Sequence, residues 1–138
     1  MIIDAQHAIV GRVAGFAAKQ ALLGETIAVI NCKAAVITGT KENIFAAYER
    51  KASMGQIRKG PFFIRSPDRL MKRIIRGMLP HHQPKGYAAL RRIKCYVTIP
   101  ANTDTKDAVK VPGSDVNKVK KTKYVTLGEI AQHMGGKA

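Results

Sequence analysis

An α/β domain built on a mainly parallel sheet is the fold this sequence predicts, and three observations predict it. Short apolar runs recur at 1–5 (MIIDA), 26–31 (TIAVIN), 34–38 (AAVIT) and 93–99 (IKCYVTI). Helical periodicity fills the intervals between them, and strand, helix, strand, helix in that order implies crossover connections. At 138 residues and 46% hydrophobic content, the chain has enough apolar material for one compact core.

The elements follow in order. Residues 1–5 read as a short strand. Residues 12–23 read as a helix with Val13, Phe16, Ala17 and Leu23 along its apolar side, closed by Gly24 in a left-handed conformation. The run 26–31 is almost unbroken in apolar character, as a strand covered on both faces requires. After 34–38, Thr40 is placed to cap a helix over 41–51 that carries Ile44, Phe45 and Tyr48 on one side. Ser66 is the expected N-cap of a third helix over 66–78, with Pro67 at its first position and Asp68 in its first turn. Gly77 and Pro80 stop it, 79–86 is an irregular loop, and 87–91 forms a helical turn before the strand at 93–99. Residues 100–113 read as an extended linker, followed by a cluster of Lys118, Lys120, Lys121 and Lys123. Thr126 and Glu129 form a capping box for a short last helix that runs to Met134 and is closed by Gly135 and Gly136. The expected division is an α/β core at 1–99 and a trailing module at 100–138.

Charge is the strongest functional signal. There are 24 Lys and Arg against 9 Asp and Glu, a net +15. Residues 50–94 hold Arg50, Lys51, Arg58, Lys59, Arg65, Arg69, Lys72, Arg73, Arg76, Lys85, Arg91, Arg92 and Lys94 against the single acid Asp68. That third of the chain therefore carries +12 and the remainder +3. A concentrated field of one sign repels itself unless an anion docks on it, and Arg, which outnumbers Lys here, grips phosphate bidentately. The helix at 66–78 separates its two characters sharply. At 100° per residue, Leu70, Met71, Ile74, Ile75 and Met78 span about 140° of arc, while Arg69, Lys72, Arg73 and Arg76 fall together on the other side. An ordinary amphipathic helix explains the apolar side. It does not explain a polar side without an acid, because like charges at i,i+4 destabilise rather than pair.

Other chemistry finds little support. GRVAG at 11–15 lacks the spacing of a dinucleotide turn, and no G-x-x-x-x-G-K-[ST] loop is present. His81 and His82 are adjacent, so in a helix or strand they diverge; loop imidazoles beside phosphate suit them better than a metal site. Cys32, His81, His82 and Cys95 lack any local ligand pair of the C-x-x-C kind. The two cysteines lie in apolar runs, where a buried thiol is the ordinary reading, and they fit a reducing compartment. No metal, cofactor or small-molecule substrate is expected. The start of the chain lacks a signal-peptide pattern and no segment approaches ~18 uninterrupted apolar residues, so a cytoplasmic protein is expected. A small phosphate- or nucleotide-binding enzyme and a basic membrane-surface protein remain the alternatives, but the first needs a phosphate cradle and the second usually offers Trp or Phe at the interface.

The order of motifs also carries a resemblance. Asp4-Ala5, Gly11-Arg12-Val13-Ala14, VINCKAAVITG at 29–39, RSPDR at 65–69, RGMLP at 76–80 and RIKCY at 92–96 resemble the family of universal large-subunit ribosomal proteins numbered thirteen. The length and C-terminal module look like its archaeal branch. Bacterial members continue the last strand with a Gly-rich turn, where this chain has Val97-Thr98-Ile99-Pro100. The resemblance implies a three-layer α/β/α domain with a four-stranded, mainly parallel sheet. It also implies a structural constituent of the large subunit that binds large-subunit rRNA early in assembly beside neighbouring ribosomal proteins, with no catalytic residues and no membrane. By that likeness Arg65, Arg69, Arg76, Gly77 and Lys94 stand at positions expected on or near RNA. Residue charge alone selects four of those five.

Overall fold

The structure is a computed structural model that describes residues 1–56, 58–101, 107–118 and 123–136. Its centre is a four-stranded sheet of β1 (Ile2–Asp4), β2 (Ile27–Ile30), β4 (Ile93–Cys95) and β5 (Ala108–Val109), in the order β4-β2-β1-β5. All three pairings are parallel, with Ile3 opposite Val29 and Val29 opposite Cys95. The predicted α/β class with a four-stranded parallel sheet is therefore what the chain forms, as a single domain. The fourth strand is an unexpected one. Strand β3 (Val36–Thr38) leaves this sheet and pairs antiparallel with β6 (Tyr124–Thr126).

Alternation along the strands decides which face is covered. Ile3, Ile27, Val29 and Ile93 are fully buried beneath helices α1 (Val10–Leu22) and α3 (Pro67–Gly77) and join one core with Val13, Met71 and Ile75. The neighbouring row of Lys94, Ala28, Ile2 and Ala108 is exposed or half-buried. Helix α1 begins at Val10, two residues before the periodicity suggests. Its end behaves as anticipated, since Gly24 has φ +107°, but Leu23 lies past the last turn and is 71% exposed instead of packed. Helix α2 (Lys41–Ser53) starts after Thr40, whose side chain makes no capping hydrogen bond. Helix α4 (Pro84–Arg91) is longer than the turn expected at 87–91, because Pro84 opens it at N1. It packs closely on the preceding turn: a Cβ on Gly86 would lie 2.0 Å from the Pro80 carbonyl oxygen. Strand β4 stops at Cys95, short of the expected 99. Beyond it the Tyr96 and Val97 carbonyls accept from the Cys32 and Lys33 N–H groups at 3.1 and 3.2 Å, so the chain follows a 3-10 turn at Cys32–Ala34 and leaves the sheet.

The stretch expected as a linker is tied down where it is described. Strand β5 adds to the sheet at β1, the Ile9 N–H donates to the Ser114 carbonyl at 2.8 Å, and the Arg12 guanidinium donates to the Gly113 carbonyl. Of the C-terminal Lys cluster, Lys120 and Lys121 lie outside the described residues. Helix α5 (Leu127–His133) has the expected capping box and seats Leu127, Ile130 and Ala131 fully in the core against α3.

Candidate nucleic-acid interface

Local sequence explains how α3 is held and what it presents. Ser66 sits in the extended conformation of an N-cap and Pro67 supplies the first helical position. The Ser66 hydroxyl does not cap the backbone, however; it donates to the Asp68 carboxylate. Packing is therefore the dominant support. Leu70, Met71 and Ile75 are at most 2% exposed, and burying each contributes about 1.5–3 kcal/mol. Like-charge repulsion between Arg69 and Arg73, or Lys72 and Arg76, costs about 0.2–0.5 kcal/mol per pair. The inner face outweighs the outer, so the helix forms with its cations crowded together. Met78, assigned by periodicity to the apolar side, lies past the helix end and is 46% exposed.

Those four cations line one groove. Arg69, Lys72, Arg73 and Arg76 surround a cavity of about 350 Å³ together with Ile64, from the segment before α3, and Leu90 of α4. No acid is among its walls. Among the described residues the close acid–base contacts are Lys118 with Asp115 at 3.9 Å and His133 with Glu49 at 2.5 Å, and neither involves a cation of the 50–94 segment. Gly77 ends α3 at the surface, and a Cβ added there would meet nothing in this chain. Fold geometry therefore does not demand glycine at that position; what its absent side chain leaves is room for an outside group.

The other expected residues are dispersed. Arg50 and Lys51 are exposed in the last turn of α2, and Arg58 and Lys59 on the segment that follows. Arg65 is exposed beside the end of the chain, where a Cβ on Gly136 would lie 2.2 Å from the Arg65 carbonyl oxygen. Lys85 is exposed on α4; Arg91 donates to the Tyr87 hydroxyl at 3.2 Å and lies 4.6 Å from its ring centre. Arg92 donates to the Ala21 carbonyl at 3.3 Å, which ties the end of α4 to α1. Lys94 is exposed on β4 between Ile93 and Cys95, so it projects from the sheet face opposite the buried row. His81 and His82 do not diverge as a helix or strand would make them. Their turn brings the rings to 4.1 Å between centres. No three metal-ligating side chains come together among the described residues. Cys32 and Cys95 are free thiols; the Cys32 thiol donates to the Val29 carbonyl at 3.7 Å, and the neighbouring Cys95 thiol, followed by burial, pushes Cys32 far above its ordinary value.

A second cavity, of about 230 Å³, adjoins the first through Arg73. Its walls are Tyr48 and Lys51 of α2, Phe63, and Leu70 and Ile74 of α3. Tyr48 and Phe63 meet edge to face at 6.0 Å, Lys51 lies 5.2 Å from the Tyr48 ring centre and Arg73 lies 5.9 Å from that of Phe63. Charge counting does not reveal these aromatics. The sequence signals for them are Tyr48 on the apolar side of the 41–51 helix and the PFFIR run at 61–65, which puts Phe62 and Phe63 close to an Arg.

Comparison with known proteins adds the family. The family model described as Ribosomal protein L13 matches residues 1–102. The large ribosomal subunit protein uL13 of Methanococcoides burtonii is 40% identical over 99% of this chain and 98% of its own length. The chain belongs to the ribosomal protein L13 family. The uL13 protein of Methanocaldococcus jannaschii is 41% identical over 99% of the chain and 98% of its own length, and that of Haloarcula marismortui is 41% identical over 98% and 90%. The L13 family model ends before β5, whereas these relatives align across β5, β6 and α5 as well. That extension agrees with the likeness to the archaeal branch. Among the described residues no helix is long and apolar enough to cross a membrane.

Proposed function

We propose that this L13-family chain is a structural protein of the large ribosomal subunit that binds large-subunit rRNA through the basic surface of residues 50–94. The family is one of ribosomal proteins, and no catalytic role is assigned. One observation carries the reading at the residue level: four α3 cations converge on a single groove that contains no acid. A cationic groove held open by a packed helix neutralises phosphates brought close together, and counterion release supplies much of the affinity. The folded body fixes where the cations stand, so recognition is by RNA shape. Arg50, Lys51, Arg58, Lys59, Arg65, Lys85, His81 and His82 extend the surface around the groove, Gly77 admits a backbone phosphate, and Arg91, Arg92 and Lys94 reach RNA from other sides. Incorporation early in subunit assembly, contact with neighbouring ribosomal proteins and a cytoplasmic location complete the proposal.

The test is affinity for large-subunit rRNA fragments and for an unrelated structured RNA of equal length, titrated over salt. Six to ten phosphate contacts give a slope of log affinity on log salt of about −5 to −9. One fragment should stay bound at salt that strips the unrelated RNA. Identical behaviour of all RNAs at every salt would reduce the basic segment to a general polyanion patch.

A further inference from the structure

We propose that the slot between α2 and α3, walled by Tyr48 and Phe63 and flanked by Lys51 and Arg73, is a nucleobase-binding site for one unstacked nucleotide of the bound RNA. The inference rests on the RNA-binding reading and adds a mode of recognition to it. Arg73 lines both the phosphate groove and the slot, so a backbone passing through the groove delivers a base to the slot's mouth. The floor, Leu70 and Ile74, is apolar, and the walls are aromatic. A planar, uncharged base on a charged backbone matches that division better than any purely anionic ligand, which would have no use for the rings.

Two observations make the surface more than a small hydrophobic cluster beneath a loop. Neither ring is closed into the core: Tyr48 and Phe63 are half-buried, and Phe62, one residue earlier, is left 75% exposed. The ring faces are covered instead by the side chains of Lys51 and Arg73. Exposed cation–π contacts of this kind are weak, whereas a base stacked on an aromatic ring is held more firmly, so the base displaces the cations. Both cations then turn outward to the phosphates on either side of the inserted nucleotide, where they are charge-matched.

The probes are a single-stranded RNA of about ten nucleotides carrying 2-aminopurine and a duplex RNA of the same charge. The full-length chain should bind the single strand with quenching of the 2-aminopurine emission. The double substitution Tyr48→Leu and Phe63→Leu keeps apolar contacts while removing both rings; it should lower single-strand affinity about tenfold and abolish the quenching, with duplex affinity unchanged. Tyr48→Phe with Phe63→Tyr, which preserves two rings, should retain both. A variant that binds both RNAs as the parent does overturns the proposal and leaves the slot to a partner protein's side chain or to packing alone. Equal loss for both RNAs also overturns it, since that reports a disturbed α3. Failure of the parent chain to bind either RNA would instead refute the RNA-binding reading itself.

Discussion

Helix α5 uses its polar side chains on the protein itself. The Thr126 N–H donates to Glu129 Oε2 and the Glu129 N–H to Thr126 Oγ1, both at 3.2 Å, while His133 meets Glu49 of α2 and stacks on Phe45 at 4.1 Å. Helix α3 lies against it in the same core and does the reverse. Its cap hydroxyl is diverted to Asp68, its cations find no carboxylate among the described residues, and they stand together around an open groove. One helix has its polar groups answered within the chain, and the other presents cations that meet no carboxylate among the described residues. The difference teaches where to look for function in a basic protein: at charges the fold leaves unanswered, rather than at the charge total.

The comparison breaks most severely if the outer face of α3 is removed. Arg69→Ala, Lys72→Ala, Arg73→Ala and Arg76→Ala together should leave thermal unfolding nearly unchanged while the salt slope for rRNA loses about three to four, near a thousandfold in affinity at 0.1 M salt. Titration of RNA binding over salt reads this out; an unaltered slope would remove α3 from the interface. The inner face should respond in the opposite currency. Ile75→Ala, at a fully buried position, should cost about 2–5 kcal/mol in denaturant unfolding, with the salt slope of the remaining folded protein intact. Thr126→Ala removes half of the α5 capping box and should cost about 1 kcal/mol without any effect on RNA.

The smallest effect concerns pH. Burial holds the Tyr48 phenol above its ordinary value of 10.0. The unfolded chain then ionises first, so stability is fully present below about pH 10 and is lost as pH rises past the folded value. Tyr48→Phe should therefore flatten the fall in melting temperature at alkaline pH relative to the parent, and parallel curves would show that the phenol is not differentially buried.

Local patterns were legible in proportion to how local their causes are. The α3 stripe, the Gly24 turn and the Thr126–Glu129 box each depend on residues within a few positions, and each lies where periodicity and capping rules place it. Strand β5 has only two residues in a turn-rich stretch and exists because β1 offers it an edge, so nothing in Ala108 and Val109 themselves announces a strand. Likewise AAVIT reads as one more strand, but its antiparallel partner lies in Tyr124–Thr126, beyond the reach of any window along the chain. At the candidate interface, helical periodicity picks out the four groove cations, and net charge alone selects thirteen residues. Charge does not tell that Arg92 is engaged with a carbonyl of α1 or that Lys94 lies on the other face of the sheet, since that requires knowing which way each side chain points.

Strand β1, one of the two inner strands of the sheet, has a consequence for how the chain acquires its shape. Ile2 is paired on one side with Ala28 and on the other with Ala108, and the core is sealed only when Leu127 and Ile130 dock. A chain emerging from its N-terminus can form β1, α1 and β2 early, but must wait for nearly its whole length before the last contacts close. High sequence separation of this kind slows folding. During synthesis the basic segment is therefore outside before the elements that complete its support.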